Sequence, residues 1–249
     1  MKKDVIQCSK RVSEDTPDYS CWQMRCLCLV ADQLQPLLKE DIDWANAKFE
    51  NLEKYGIFND DHEVEITMKL SDIDKNRNGI RVLNEIKKMF DIPITWDWIK
   101  NGKATRTVFY FIHRMEWNED NLFSIYLSHF SVRWILEFGK RQGFLSFDKP
   151  SMMMLSSSYS MRLFLMLSQW YSKGEFSMGI EDLKKRLCCP LTYTPQNVED
   201  RVLKSAQKEM ENKDCRLSFE YKFVSNDRKK GVGRKRFDTV VFTIIDKEK

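Results

Sequence analysis

Histidines are scarce in this 249-residue chain, and the three present, His62, His113 and His129, lie far apart in sequence. A metal-dependent nicking enzyme needs clustered histidines to hold a cation beside its tyrosine nucleophile, and no His-x-His pair occurs. The loop Gly231-Val-Gly-Arg-Lys235 lacks the Gly-Lys-Ser/Thr ending of a phosphate-binding ATPase loop. We therefore expect a protein that is not an enzyme and uses no metal and no cofactor.

Cysteine motifs and long apolar runs are also missing. The seven cysteines are an odd number and include no Cys-x-x-Cys pair, which disfavours a zinc site. No stretch approaches the roughly 18 apolar residues of a membrane helix. The N-terminus, Met1-Lys-Lys-Asp-Val5, lacks the apolar core of a secretory leader. These absences predict a soluble, reduced, cytoplasmic protein without a membrane partner.

The charge of the chain is unevenly distributed. The net charge is only +4, yet residues 226–236 are far more basic than the rest. With 42% hydrophobic and 12% aromatic residues the chain can bury substantial cores, and its length suits one large domain or two ordinary ones. The position of the positive charge, rather than its total, therefore indicates the partner.

The pattern of residues 195–210 predicts an amphipathic helix with a well-marked start. Thr194 suits the N-cap and Pro195 the first helical position, while Tyr193 and Val198 occupy the two hydrophobic staple positions. The expected buried stripe consists of Val198, Val202, Leu203, Ala206 and Met210. The expected polar face carries Asn197, Arg201, Lys204 and Lys208, which recur at helical spacing. This face can contact an anion, and Tyr193 and Thr194 at the start of the helix are also candidates for contact with DNA.

The segments around this helix complete a recognisable motif. A shorter helix over residues 180–187 ends before Pro190, and strands alternate over residues 216–224 and 240–244. The tip between the strands carries six cations around two glycines, namely Arg228, Lys229, Lys230, Arg234, Lys235 and Arg236. Helix, turn, helix and basic hairpin predict a winged helix whose wing lies along a phosphate backbone. The alternative interpretation of the basic run is a solvated turn.

The first half repeats this order of elements without sequence identity. A core helix is expected within residues 20–38, a strand over 64–70, a helix capped by Ser71, a longer helix ending at Phe90, and a hairpin around Asn101-Gly102 whose second strand returns over residues 108–115. Residues 41–58 are expected to be helical or irregular. We predict an α+β fold of two tandem winged-helix domains, at residues 1–145 and 146–249, joined near residues 143–157. Residues 1–19 are expected to form a flexible arm. The helix ending at Phe90 is expected to bury Ile80, Leu83, Ile86 and Phe90.

The first domain is expected to contact DNA through fewer cations than the second. Its candidates are Arg77, Arg81, Lys88, Lys100 and Lys103, with Lys100 and Lys103 at the tip of the hairpin taken as its wing. Several aromatic residues of this half suit either a core or a protein–protein interface: Trp96, Trp98, Tyr110 and Trp117. The first domain is therefore also a candidate for pairing with a second copy of the chain.

Several spaced segments of the second half resemble one family. They are Ser158 to Gln169, Phe176-Ser-Met178, Ile180 to Leu187, Tyr193, Arg201 to Glu209 and Gly233-Arg-Lys235. In this order they resemble the second domain of the iteron-binding plasmid replication initiators, over about residues 156–245. The first half resembles that family's N-terminal winged helix through its order of elements and the segment Met68-Lys-Leu-Ser-Asp72.

The resemblance implies an initiator that binds direct repeats at a plasmid origin as a monomer and opens the adjacent duplex with host replication proteins. It also implies a homodimer that represses its own promoter. By position, Gln196, Asn197, Arg201 and Lys204 would contact bases or phosphates, and Arg234 and Lys235 would lie in the wing. Two other functions remain open from the sequence: a transcriptional regulator without a replication role, and a protein–protein adaptor that no longer contacts DNA.

Overall fold

The computed structural model describes residues 4–39, 58–59, 61–75, 79–100, 102–118, 121–137, 144–225 and 238–248. The chain divides into two compact units. The N-terminal unit is Ile6–Ser146, and the C-terminal unit is Phe147–Lys249 together with Met1–Val5. Each unit combines two helices joined by a turn with a three-stranded antiparallel sheet, which is the winged-helix arrangement expected from the sequence.

The N-terminal unit contains short helices and three separate groups of strands. Its helices are α1 (Arg11–Glu14), α2 (Cys21–Gln33), α3 (Leu70–Ile73), α4 (Gly79–Lys87) and α5 (His129–Leu136). Turns of 3-10 helix, Gln35–Lys39 and Lys88–Phe90, follow α2 and α4. Its strands are β2 (Val64–Lys69), β3 (Pro93–Lys100), β4 (Lys103–Tyr110), β5 (Arg114–Trp117) and β6 (Leu122–Leu127), together with most of β1 (Val5–Ser9) and β7 (Phe144–Asp148), which cross the boundaries of the unit.

The strand pairing of this unit separates the hairpin β3–β4 from the winged-helix sheet. The sheet has the order β2-β6-β5, with Val64 opposite Leu127 and Arg114 opposite Tyr126. Strands β3 and β4 pair only with each other among the described residues, and β1 pairs with β7. The two-residue turn between β3 and β4 holds Gly102 at φ 75°, a conformation that glycine adopts without strain. The expected hairpin is therefore confirmed, but it lies between α4 and β5 in the chain as an additional element.

Three of the elements expected in the first half differ from the structure. Residues 5–19 are ordered rather than a flexible arm, because β1 pairs with β7 and Tyr19 is fully buried. The helix α3 begins at Leu70 after Lys69, so Ser71 lies inside the helix and does not cap it. The strand expected to return over residues 108–115 is divided between β4 and β5. Of residues 41–58, expected to be helical or irregular, all but the last lie outside the described residues.

Trp96 anchors the additional hairpin to the rest of the N-terminal unit. Its ring is fully buried, with the guanidinium carbon of Arg11 at 4.8 Å from the ring centroid and that of Arg133 at 5.2 Å. Arg133 also pairs with Glu137 at 3.1 Å, which offsets part of the cost of burying these charges. The hairpin is thus held from both sides by α1 and α5.

The C-terminal unit follows the expected order closely. Its helices are α6 (Lys149–Met154), α7 (Ser158–Trp170), α8 (Ile180–Arg186) and α9 (195–212), and its strands are β8 (Glu175–Gly179), β9 (Leu217–Val224) and β10 (Thr239–Asp246). A 3-10 turn, Tyr171–Lys173, follows α7. The sheet has the order β8-β10-β9 and is antiparallel throughout. Stacked rings of Phe176 and Phe242, 4.8 Å apart, lie in its core.

The helix α9 is continuous but not uniform. It consists of α-helix over Pro195–Val198, π-helix over Glu199–Leu203 and α-helix over Lys204–Asn212. Turns of π-helix within α-helices are often found at functional sites. Gln207 Nε2 donates to the Phe219 carbonyl at 2.8 Å, which ties the helix to β9. Among the described residues, no helix combines the length and apolarity needed to cross a bilayer.

Candidate nucleic-acid interface

The start of α9 is fixed by the cap that the sequence indicates. The Asn197 backbone N–H donates to Thr194 Oγ1 at 3.2 Å, and Pro195 occupies the first helical position. A side-chain oxygen here satisfies one of the donors that the first turn leaves without an intrahelical partner. The first turn of α9 is therefore held in one orientation.

The buried stripe of α9 is confirmed, and the opposite side is polar. All five expected stripe residues are buried: Val198, Val202, Leu203, Ala206 and Met210. Gln196, Arg201, Lys204 and Lys208 are exposed, whereas Asn197 is half-buried. A helix fastened on one side by an apolar stripe presents its other side in a fixed geometry. We call the exposed side, formed by Gln196, Asp200, Arg201, Lys204 and Lys208, the polar face of α9.

An aspartate that the sequence analysis passed over lies at the centre of this polar face. Asp200 accepts a hydrogen bond from Gln196 Nε2 at 2.7 Å and from Lys204 Nζ at 2.7 Å. Lys204 Nζ also lies 3.5 Å from Glu199 Oε1. The hydrogen bonds from Lys204 and Gln196 hold the pKa of Asp200 below its usual range, so the carboxylate is ionised at neutral pH. Two of the expected DNA-contacting side chains are therefore joined through one acid.

The side chain of Arg201 lies beside an aromatic ring. Its guanidinium carbon lies 5.5 Å from the centroid of the Tyr193 ring, just before the helix. A guanidinium beside an aromatic face keeps its N–H donors free in the plane of the group. Tyr193, predicted as a staple and DNA-contacting residue, thus lies beside the arginine that the sequence predicts to contact DNA.

The basic wing of the C-terminal unit falls outside the described residues. Arg228, Lys229, Lys230, Arg234, Lys235 and Arg236 all lie between residues 226 and 237. Their two stem strands are described, with Val224 opposite Thr239 at the end of the ladder. The predicted hairpin is therefore confirmed in its stem, and the role of its cations remains a prediction.

The exposed face of α4 in the N-terminal unit differs from the expected one. Val82, Ile86 and Met89 are buried, whereas Ile80 is 79% exposed and Leu83 and Phe90 are half-buried. The helix is thus turned relative to the stripe predicted from Ile80, Leu83, Ile86 and Phe90. The residues it exposes are Ile80, Arg81, Asn84, Lys87 and Lys88, which recur at helical spacing along one side.

The wing of the N-terminal unit is also in a different place. In the sheet β2-β6-β5, the strands β5 and β6 correspond by order and pairing to β9 and β10 of the other unit. The assignment of the β3–β4 tip as the first wing is therefore wrong. The segment in the wing position, between β5 and β6, has the sequence Asn118-Glu-Asp-Asn121, which contains two acids and no cation.

The remaining candidates of the first unit are spread over two elements. Arg81 and Lys88 lie on the exposed side of α4 and the turn after it, and Lys88 pairs with Glu85. Lys103 is exposed at the start of β4. Arg77 and the side chain of Lys100 lie outside the described part of the chain. The structure thus groups Arg81 with Lys88 and assigns Lys103 to the additional hairpin.

The aromatic residues considered for an interface divide into two groups. Trp96 is buried, while Tyr110 and Trp117 are 51% and 54% exposed; the side chain of Trp98 lies outside the described residues. Lys87 Nζ lies 4.1 Å from the centroid of the Trp117 ring. Val108 and Tyr110, two residues apart on β4, expose an apolar patch on one side of the hairpin.

Comparisons with known proteins agree with this architecture. Residues 18–168 match the family model for the Initiator Replication protein, WH1, and residues 179–244 match that for the Initiator Rep protein, WH2. The fold is similar to a crystal structure of the Pi initiator protein in complex with iteron DNA, with a TM-score of 0.69, 12% identity and 99% coverage of both chains. A structure of domains 2 and 3 of RctB gives a TM-score of 0.42 at 12% identity, over 90% of this chain and 81% of that one. No curated protein matches the sequence.

Proposed function

The chain belongs to the initiator Rep protein family, and on that basis we propose that it starts plasmid replication by binding repeated sites in duplex origin DNA. Membership of this family makes it a DNA-binding replication initiator. The observation that supports the finer proposal is the polar face of α9, a capped helix whose exposed side chains suit base edges and phosphates. The similar fold of the Pi initiator, solved with iteron DNA, suits the same use.

We assign separate roles to the residues of this interface. In a major groove, Arg201 can donate two hydrogen bonds to a guanine, and Asn197 or Gln196 can pair with an adenine. Lys208 and the wing cations contact phosphates, which position the helix without specifying sequence, whereas Lys204 is held in its ion pair with Asp200. If six to eight phosphates are contacted in all, the slope of log affinity against log salt is about −5 to −7. Binding here requires no covalent chemistry.

Because the two DNA-binding units are linked, the affinity of the whole chain for DNA can exceed that of either unit alone. Once one unit is bound, the other meets DNA at an effective concentration set by the short connection between them. The N-terminal unit contributes Arg81, Lys88 and Lys103 in this proposal, and with them Arg77 and Lys100. With such a partner we expect the protein to act in the cytoplasm, associated with its plasmid.

Dimerisation and autoregulation form the second part of the proposal. The exposed Val108 and Tyr110 on β4 suit pairing between two copies, because a flat apolar patch on a paired strand can be covered by the same patch of a partner. In the dimeric form the protein would repress its own promoter. As a monomer on repeated sites it would recruit host replication proteins.

The experiment that tests the function combines maintenance and binding. A plasmid that carries the gene and its origin is compared with one in which Arg201→Ala is the only change. We expect loss of maintenance together with loss of protection of repeated origin sequences by the purified protein. Normal maintenance with intact protection would contradict the roles assigned to α9. Promoter binding without any effect on maintenance would favour a transcriptional regulator, and absence of DNA binding an adaptor.

A further inference from the structure

The exposed face of α4 carries a large apolar side chain, whose contact with water is unfavourable. Ile80 is 79% exposed in the first helical turn, next to Arg81 and one turn before Asn84. Exposed single aliphatic residues are common, but here the neighbours have the donors that contact nucleic acid. Isoleucine, asparagine and arginine therefore share one side of a helix in the topological position of α9.

Contacts with α2 and α3 fix the orientation of this face. Gln23 Nε2 of α2 donates to the Glu85 carbonyl at 2.7 Å, and Arg25 Nη1 donates to the Ile73 carbonyl of α3 at 2.9 Å. A Cβ added at Gly79 would lie 3.3 Å from Leu70 Cδ1, so glycine lets α4 begin close against α3. The helix pair is thus fastened to α2, and the exposed face keeps one orientation.

We infer that this face contacts A·T base pairs in a major groove, with Ile80 against a thymine methyl group and Asn84 paired with an adenine. The thymine methyl is an apolar group unique to the major groove, and a carboxamide matches the adenine N6 and N7 positions. Arg81 contacts a flanking phosphate. The first-turn position of Ile80 suits this role, because recognition helices contact base edges with their N-terminal residues.

The sequence of the wing position supports a helix-centred contact in this unit. The segment between β5 and β6, with the sequence Asn118-Glu-Asp-Asn121, contains no cation for a phosphate, and its two acids would be repelled by a phosphate. We therefore expect the base contacts of the N-terminal unit to come from α4, with the phosphate contacts supplied by cations outside this segment. This inference rests on the proposed function and adds to it a class of base pair and the residues that recognise it.

The test removes single methyl groups from the DNA. The full-length protein first enriches a duplex from a random library, and each thymine of that duplex is then replaced in turn by uracil, which lacks only the 5-methyl group. Loss of one buried methyl corresponds to about fourfold weaker binding. We expect this loss at one or two positions for the wild type and no loss at those positions for Ile80→Ala. The matched control is Ile245→Ala, at another exposed isoleucine, which should keep the wild-type sensitivity to uracil.

Asn84→Ala provides a second measurement in the same duplex. It should weaken binding about tenfold and abolish the preference for adenine at one neighbouring position. Equal effects of uracil on the wild type and Ile80→Ala, or no effect on either, would overturn the inference, and would leave Ile80 as a contact for another protein. In that case Arg201→Ala would still weaken binding to the enriched duplex. Failure to enrich any duplex would instead overturn the proposed function itself.

Discussion

Lys204 Nζ lies 2.7 Å from Asp200 Oδ1, one helical turn away on the polar face of α9. The same carboxylate accepts a hydrogen bond from Gln196 Nε2 at 2.7 Å. A lysine expected to neutralise phosphate is thus already paired with an acid of its own helix. This pairing weakens the attraction of Lys204 to DNA of any sequence and holds Gln196 in one orientation. It therefore favours selective binding over tight nonspecific binding.

Removal of Asp200 should therefore increase nonspecific affinity and reduce selectivity. In Asp200→Ala, Lys204 is released to contact a phosphate, and the salt slope should become steeper by about 1. The measurement is a titration of specific and scrambled duplexes at several salt concentrations. Glu211→Ala, an exposed acid at the end of the same helix, controls for the change in net charge. An identical effect of both variants would show that Asp200 acts only through overall charge.

Replacement of Arg201 should act on the specific site alone. Loss of a bidentate contact to a base costs about 1–3 kcal/mol, so Arg201→Ala should bind the specific duplex about ten to a hundred times more weakly and scrambled DNA almost as before. Arg201→Lys keeps the charge but not the planar pair of donors, and should recover little of the loss. Equal weakening on both duplexes would mean that Arg201 contacts a phosphate.

The wing cations should control the salt dependence. In the triple variant Arg234→Ala, Lys235→Ala and Arg236→Ala, the slope of log affinity against log salt should become shallower by about 2 to 3, because up to three counterion-releasing contacts are lost. A triple alanine change at Lys2, Lys3 and Lys10 provides the control for lost charge elsewhere. An unchanged affinity and slope would favour the adaptor function.

The cap of α9 should contribute to stability as well as to shape. Thr194→Ala removes the acceptor of the Asn197 N–H and should lower the free energy of unfolding by about 1 kcal/mol. Urea denaturation followed by circular dichroism measures this change. Thr194→Ser retains the acceptor, and its stability should lie close to that of the wild type. A Thr194→Ala protein with the same free energy of unfolding as the wild type would contradict the role of this hydrogen bond.

Acid should destabilise the N-terminal unit through His129. Burial, and secondly the charge of Arg133, lower the pKa of His129 below its ordinary value of 6.5. The unfolded chain therefore binds the proton more readily, and the stabilising contribution present above pH 6.5 is lost as the pH falls through the lower folded pKa. Thermal unfolding across this range should show a smaller loss of Tm for His129→Gln than for the wild type.

The C-terminal unit could be predicted from sequence because its signals are local. The cap at Thr194, Pro195 and the period of the buried stripe lie within one helix, and the strand alternation on both sides is regular. Asp200 was visible too, four residues after Gln196 and four before Lys204. Cations at helical spacing predict an anion-binding face, whereas the pairing of the acid between them is seen only in the structure.

The fold of the N-terminal unit could be predicted less completely, because the contacts that determine it join residues that are distant in sequence. Asn101-Gly102 marks a real hairpin, but local turn chemistry cannot show which strands share the sheet; the pairing of Val64 with Leu127 decides that. The pairing of β1 with β7 joins segments at opposite ends of this unit and has no local signal. For α4, the sets Ile80-Leu83-Ile86 and Val82-Ile86-Met89 both have helical spacing. Tertiary packing selects the second.

The most direct test of the central claim is a guanine N7 methylation-protection experiment on a duplex with tandem origin repeats, since N7 is exposed in the major groove. We expect the full-length protein to protect guanines in every repeat. At a concentration high enough to saturate the repeats despite its weaker binding, Arg201→Ala should lose protection of one guanine per repeat while the others stay protected. No protected guanine in the repeats, or the same pattern for both proteins, would contradict insertion of α9 into the major groove.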